Sequence, residues 1–168
     1  YYSDTFGPTG VLRGVGSTTK PLTVYGPALE QGAITLGAAA LDEQLLQSED
    51  RQILVELGNP TGDKWPQNYF PRYSGPTTIR KSIVNSFNTV SVRTYYSLGP
   101  DRNNIAKSYG EKFGLIYNDD PVTVNFTLGN NQIMNKDGGN TLILAGAYGA
   151  FGNSGVVTEN ILYTKVTD

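Results

Sequence analysis

Apolar and polar residues alternate most cleanly at Val122-Thr123-Val124-Asn125-Phe126-Thr127-Leu128, with Val122, Val124, Phe126 and Leu128 on one face and the polar residues on the other. A period of two marks a strand with one buried and one wet face. The segment opens after Pro121 and closes at the turn cluster Gly129-Asn130-Asn131. Further strands are expected at Val11–Val15, Leu22–Tyr25, Ala33–Leu36, Gln52–Leu57, Thr77–Val84, Thr89–Tyr96, Phe113–Tyr117, Thr141–Ala147 and Val156–Val166. Turn dipeptides separate them, among them Gly26-Pro27, Asn59-Pro60, Gly75-Pro76, Gly99-Pro100 and Gly152-Asn153. Many short strands with regular turns read as an all-β domain, an antiparallel two-sheet sandwich of galectin-like or jelly-roll-like form. One segment departs from this. Ala38 to Gln47 is rich in helix formers and predicts one short helix.

The stretch from Gly58 to Pro76 holds four prolines and the chain's one tryptophan, and is read as a long loop. Loops of that length in compact domains are often functional. Residues 1–168 are taken as one domain, and the opening Tyr1-Tyr2-Ser3, without methionine, as a cut from a longer chain.

Composition narrows the chemistry. The 168 residues include no histidine and no cysteine, so histidine-based triads, the usual zinc sites and thiol chemistry are excluded. With 11 tyrosines, 20 glycines and a net charge of −2, the composition suits a binding surface and argues against nucleic acid as a partner. No apolar run reaches the length of a membrane span. No cofactor and no metal are expected.

Few local motifs carry chemistry. Gly14-Val15-Gly16-Ser17-Thr18-Thr19-Lys20 resembles a phosphate loop, but Lys20 precedes Pro21 and an expected strand, so the segment reads as a polar connection between strands. Asn135-Lys136-Asp137-Gly138-Gly139-Asn140 lacks the spaced carboxylates of a calcium loop and reads as a turn. The pairs Glu49-Asp50 and Asp119-Asp120 read as solvated ends, not as a glycosidase pair.

Two aromatic-basic clusters remain as candidate binding sites. Trp65, Tyr69, Arg72 and Tyr73 lie in the long loop with Phe70, and their flat rings and hydrogen-bonding groups suit a sugar. The same loop fits a second placement, with Trp65 and Phe70 turned inward to plug the end of the sandwich. Arg93, Tyr95, Tyr96 and Ser97 form the second cluster, placed at a strand end before Gly99-Pro100. There one tyrosine would face the core and the other solvent.

The runs Asp50–Glu56, Gly110–Pro121 and Asn160–Lys165 resemble an early strand, a late hairpin and the last strand of the lectin-like head of the rotavirus outer-capsid spike protein. The resemblance implies a non-catalytic attachment domain on the virion surface that binds host glycans or glycoconjugates, with the remainder of the spike as its other partner. Arg93, Tyr95, Tyr96 and Ser97 match in type the basic and Tyr-Tyr-Ser glycan contacts of that family, although here they precede the hairpin instead of following it. Two alternatives stand beside it: a trimeric fibre head or structural capsid module of a virus or phage, and a carboxylate-only glycosidase.

Overall fold

A computed structural model of the chain describes residues 12–46, 48, 50–56, 66–118, 122–129 and 138–161. The architecture is mainly helical, and the two strands named among the described residues form one short antiparallel ribbon.

The central element is a continuous helix that changes character along its length. A 3₁₀ turn at Gly16–Thr18 leads through helical Thr19 and Lys20 into a π segment at Pro21–Tyr25 and then α1 at Gly26–Glu30. Pro21 has no N–H to return to the carbonyl four residues back, and its ring crowds that carbonyl. The helix widens there, and the Gly26 N–H reaches the Pro21 carbonyl in the i→i−5 bond of a π turn. A side chain at Gly26 would put its Cβ 2.8 Å from that carbonyl oxygen, so the widened turn requires glycine. Leu22, Thr23, Val24, Tyr25, Pro27 and Ala28 are all buried, as expected of a helix enclosed by its neighbours.

The ribbon pairs β1 (Ala39–Asp42) with β2 (Gly75–Thr78), in the register Ala39↔Thr78 to Asp42↔Gly75. Around these elements lie α2 (Arg51–Glu56), α3 (Ile79–Asn85), α4 (Asn88–Ser97), α5 (Arg102–Lys112), α6 (Val124–Thr127) and α7 (Thr141–Gly152). The central helix packs on α4 and α5. One core cluster joins Val24, Leu45, Leu54, Val92, Tyr95 and Leu128; a second joins Tyr25, Ile79, Phe87 and Val90.

This overturns the all-β sandwich. The expected strand at Leu22–Tyr25 lies in the π segment, Gln52–Leu57 is helical in α2 as far as Glu56 with Leu57 outside the described residues, Thr89–Tyr96 lies within α4, and Thr141–Ala147 opens α7. Thr77–Val84 is strand only to Thr78 and then α3. The expected helix at Ala38–Gln47 holds β1 instead. Even the alternating Val122–Leu128 segment contains a helix, because Val124 and Leu128 stand one turn apart and bury together with Val122 in the same core cluster. The physical reason is burial on several sides. In α4, Thr89, Val90, Ser91, Val92, Thr94 and Tyr95 are all buried, so no polar face marks a helical period and β-branched residues mimic a strand.

Candidate active site

Ser17 lies exposed in the 3₁₀ turn that opens the central helix, and Lys20 follows three residues later. At i and i+3 their side chains share one face. Both line a cleft of about 270 Å³ that is also bounded by Tyr25, Ile83, Ser86 and Tyr148.

Lys20 is 1% exposed. Its Nζ donates to the Ser86 carbonyl at 2.8 Å, to Ser86 Oγ at 3.1 Å and to Asn88 Oδ1. These acceptors match the donors of an ammonium one for one, and none of them carries a charge. Burial therefore pulls the Lys20 pKa down to about 8. An amine so placed gives up its proton close to neutrality and can then accept one from a serine hydroxyl, the task histidine performs in other sites.

The acceptors come from the junction between α3 and α4. Ser86 holds the left-handed conformation, φ 55°, just past α3. Its N–H donates to the Ile83 carbonyl at 3.1 Å, and the Phe87 N–H reaches back to the Ser82 carbonyl at 3.0 Å. This is a Schellman ending with serine where glycine is usual. A non-glycine residue kept there costs roughly 1–3 kcal/mol, and the Ser86 Oγ contact to Lys20 gives a reason for it. On the opposite wall, the Tyr148 hydroxyl donates to the Thr18 carbonyl at 2.8 Å and ties α7 to the turn that carries Ser17.

The two aromatic-basic clusters lie elsewhere. Tyr69 and Phe70 are 92% and 65% exposed and pack edge to face with ring centroids 5.2 Å apart; Arg72 is exposed beside them. Phe70 thus does not turn inward, and Trp65 lies outside the described residues. Tyr73 is half-buried, with its hydroxyl raised by burial and by the nearby Asp42 charge. Arg93, Tyr95, Tyr96 and Ser97 sit on a helix, not at a strand end. Arg93 pairs with Asp50 at 2.8 Å and donates to the carbonyls of Leu41, Glu43 and Gln44, so it staples α4 to the segment after β1. Tyr95 is buried and packs edge to face on Tyr96, and the Arg102 guanidinium lies over the Tyr96 ring at 4.3 Å. Both tyrosines line a separate cavity of about 300 Å³ with Glu56, Arg102 and Asn103. Ser97 closes on its own helix by donating to the Thr94 carbonyl at 2.6 Å.

Comparison with known proteins identifies the family. Residues 14–168 match the family model described as the penicillin binding protein transpeptidase domain. The chain is 41% identical to penicillin-binding protein 1A of Clostridium perfringens (strain 13 / Type A) over 160 residues, covering 94% of this chain and 22% of that protein. It is 31% identical to penicillin-binding protein 1F of Bacillus subtilis (strain 168) over 168 residues, covering all of this chain and 20% of that protein. The 2.6 Å crystal structure of penicillin-binding protein 1A from Haemophilus influenzae superimposes with a TM-score of 0.64 at 25% identity, over 89% of this chain and 19% of that one. The chain thus spans about a fifth of the length of the relatives it matches.

These matches overturn the viral reading. The likeness to a rotavirus spike head does not hold, and with it fall the fibre-head and capsid alternatives, the host-glycan partners and the virion surface, because the matched relatives are bacterial proteins of another family. The non-catalytic reading falls too, because the family is one of enzymes; the glycosidase alternative had the wrong chemistry. Lack of histidine and cysteine removes one way of activating a serine, but a buried amine of lowered pKa, the state of Lys20, is chemically able to do the same. The missed signal was Ser17-Thr18-Thr19-Lys20 followed by Ser86-Phe87-Asn88, a Ser-x-x-Lys with a later Ser-x-Asn. It was hidden inside a glycine-flanked run that invited comparison with a phosphate loop. By the match over residues 14–168 and the arrangement of Ser17, Lys20, Ser86 and Asn88, the chain belongs to the penicillin-binding protein transpeptidase domain family.

Proposed function

We propose that this chain supplies the nucleophile, base and Ser-x-Asn portion of a serine acyltransferase that cross-links peptidoglycan peptides in the bacterial cell envelope. The observation that carries the reading is the buried Lys20 amine, held by Ser86 and Asn88 and lowered to about 8, on the same helical face as the exposed Ser17. Ser17 Oγ attacks the scissile carbonyl carbon of the donor peptide while neutral Lys20 takes the hydroxyl proton. The tetrahedral intermediate collapses, the C–N bond breaks, and the leaving amine takes up a proton by way of Lys20 and the Ser86 hydroxyl. The acyl group then rests on Ser17 as an ester. An acceptor amine attacks that ester, loses its proton to Lys20, and leaves with the new amide bond as Ser17 regains its hydrogen. A β-lactam enters the same first step and stays on the serine.

The common pattern for such sites adds a Lys-Thr-Gly run and often places Asp between the serine and asparagine. Here Phe87 takes the middle position, and Lys-Thr-Gly does not occur in the 168 residues. The test is mass spectrometry of the protein, in the form its host makes, after incubation with benzylpenicillin. One adduct on Ser17, absent in Ser17→Ala and strongly slowed in Lys20→Ala, supports the reading. An adduct that survives Ser17→Ala, or none in the wild type, overturns it.

A further inference from the structure

Asp42 ends β1 and is 0% exposed. A buried carboxylate is costly unless its oxygens are hydrogen-bonded. Oδ1 accepts from Asn68 Nδ2 at 2.8 Å and from Thr89 Oγ1 at 2.6 Å, and Oδ2 accepts from Asn68 Nδ2 at 3.0 Å and from the Ser74 N–H at 2.8 Å. The Asp42 carboxylate thus gathers two segments: the loop of residues 66–74, at Asn68 and Ser74, and the first turn of α4, at Thr89.

An ionised carboxylate can only accept. With a longer contact from Nδ2 to the Arg72 carbonyl at 3.4 Å, it fixes which way the Asn68 amide lies, with Nδ2 toward Asp42 and Oδ1 turned away. That Oδ1 accepts from the Asn88 N–H at 2.8 Å. Asn88 is the first residue of α4, and the preceding Phe87 offers no side-chain cap, so this N–H is one of the orphans of a helix start. Asn68 caps α4 from 20 residues away in sequence. The Asn88 side chain is fixed from the same loop, its Nδ2 donating to the Gln67 carbonyl at 2.5 Å. With Nδ2 engaged there, Oδ1 is left facing Lys20 Nζ.

We propose that Asp42 is a positioning residue for the catalytic cleft, orienting Asn88, and through it the Lys20 amine, by way of the side-chain amide of Asn68. The proposal rests on the assignment of Lys20 as the base. Asp42 touches neither Ser17 nor Lys20 in any hydrogen bond described above. Its influence runs through amide polarity: a neutral Asn at position 42 presents an NH₂ to the NH₂ of Asn68, which then turns over and directs a donor at the Asn88 N–H.

The experiment uses the protein as its host makes it and three variants: Asp42→Asn, Asn68→Ala and the double swap Asp42→Asn/Asn68→Asp. In the swap, the new amide donates to the new carboxylate, whose other oxygen again accepts from the Asn88 N–H. Acylation by a fluorescent penicillin is expected to slow about tenfold or more in each single variant, as for a misplaced catalytic group, and to recover most of that loss in the swap. Hydrogen exchange read by NMR is expected to speed up at the Asn88 amide in both single variants while the Val92 amide, inside α4, stays protected. That pattern separates local release of Asn88 from general loosening. Wild-type acylation in Asn68→Ala overturns the proposal, as does a swap no faster than Asp42→Asn or an unchanged Asn88 exchange rate. If Asp42→Asn does not fold, Asn68→Ala decides. If the wild type forms no adduct on Ser17, the transferase reading fails, while the Asn88 exchange rates still decide whether Asp42 and Asn68 hold that amide.

Discussion

The Tyr148 hydroxyl donates to the Thr18 carbonyl at 2.8 Å, a contact between α7 and the turn next to Ser17 made across 130 residues of sequence. Tyr148→Phe removes this bond and keeps the ring contact with Phe151, at 5.6 Å between centroids. The expected loss of stability is about 1 kcal/mol, the net worth of one hydrogen bond. Penicillin acylation is expected to fall more steeply than stability, by severalfold, because the turn beside the nucleophile loses its outer support. Thermal melts and stopped-flow acylation measure the two effects; equal acylation rates would remove Tyr148 from the machinery.

The buried amine predicts a pH dependence. Acylation should rise with pH and level off around an apparent pKa of about 8, as Lys20 becomes neutral. Lys20→Arg, which stays charged, should be inactive across that range. Stability follows the same ionisation. The folded pKa is about 8 and the ordinary value 10.5, so between these the unfolded chain holds more protons and stability climbs with pH. Below about pH 8 both states are protonated and this residue adds no slope. Tyr25 and Tyr117, raised by burial, act in the opposite sense only above about pH 10, the ordinary value of tyrosine, so the lysine effect is read between pH 8 and 10. Denaturant titrations in that window should show a rise in wild type that Lys20→Met lacks.

Ser86→Gly separates stability from function. Glycine adopts the left-handed ending of α3 freely. The variant should melt at or above the wild-type temperature, yet acylate at least tenfold more slowly, since Lys20 loses its Ser86 Oγ partner and the proton route through it. A lower melting temperature would show that the hydroxyl contact outweighs the backbone strain.

Two glycine-to-alanine changes should act in opposite directions. Gly26→Ala drives a Cβ against the Pro21 carbonyl, 2.8 Å away, and should destabilise by about 1–3 kcal/mol. Gly149→Ala, in α7, meets nothing within 4 Å and should stabilise by about 0.8–1 kcal/mol through helix propensity alone. Paired thermal melts test both.

The sequence was legible where residues act locally and misleading where packing decides. The turn at Gly99-Pro100 does lie between α4 and α5, whereas Gly75-Pro76 is the start of β2, and Val122, Val124 and Leu128 are indeed core residues. The period that links them was misread because a spacing of four is a multiple of two. In α4, enclosure removes the polar stripe by which a helix is recognised, and Val90, Val92 and Tyr95 then carry only their strand preference. In β1, alanines that favour helices are held extended by pairing with Thr77 and Thr78, and Ala40 packs on the cluster around Tyr25 and Phe87. Arg93 looked like a ligand contact because its type is right for one; only the fold shows its guanidinium spent on Asp50 and backbone carbonyls. The proposed site is written in the order Ser-x-x-Lys then Ser-x-Asn, but a separation of 66 positions between Lys20 and Ser86 conceals that the two lie together.

That separation has a consequence for the protein's synthesis. A ribosome adding about 5–20 residues per second takes several seconds to pass from Lys20 to Ser86 and Asn88. Throughout that interval the serine and lysine exist without the neutral acceptors that bury the amine, and an exposed lysine keeps its proton at physiological pH. On the proposed role of Lys20, the amine becomes a usable base only once Ser86 and Asn88 have been made and α4 docks.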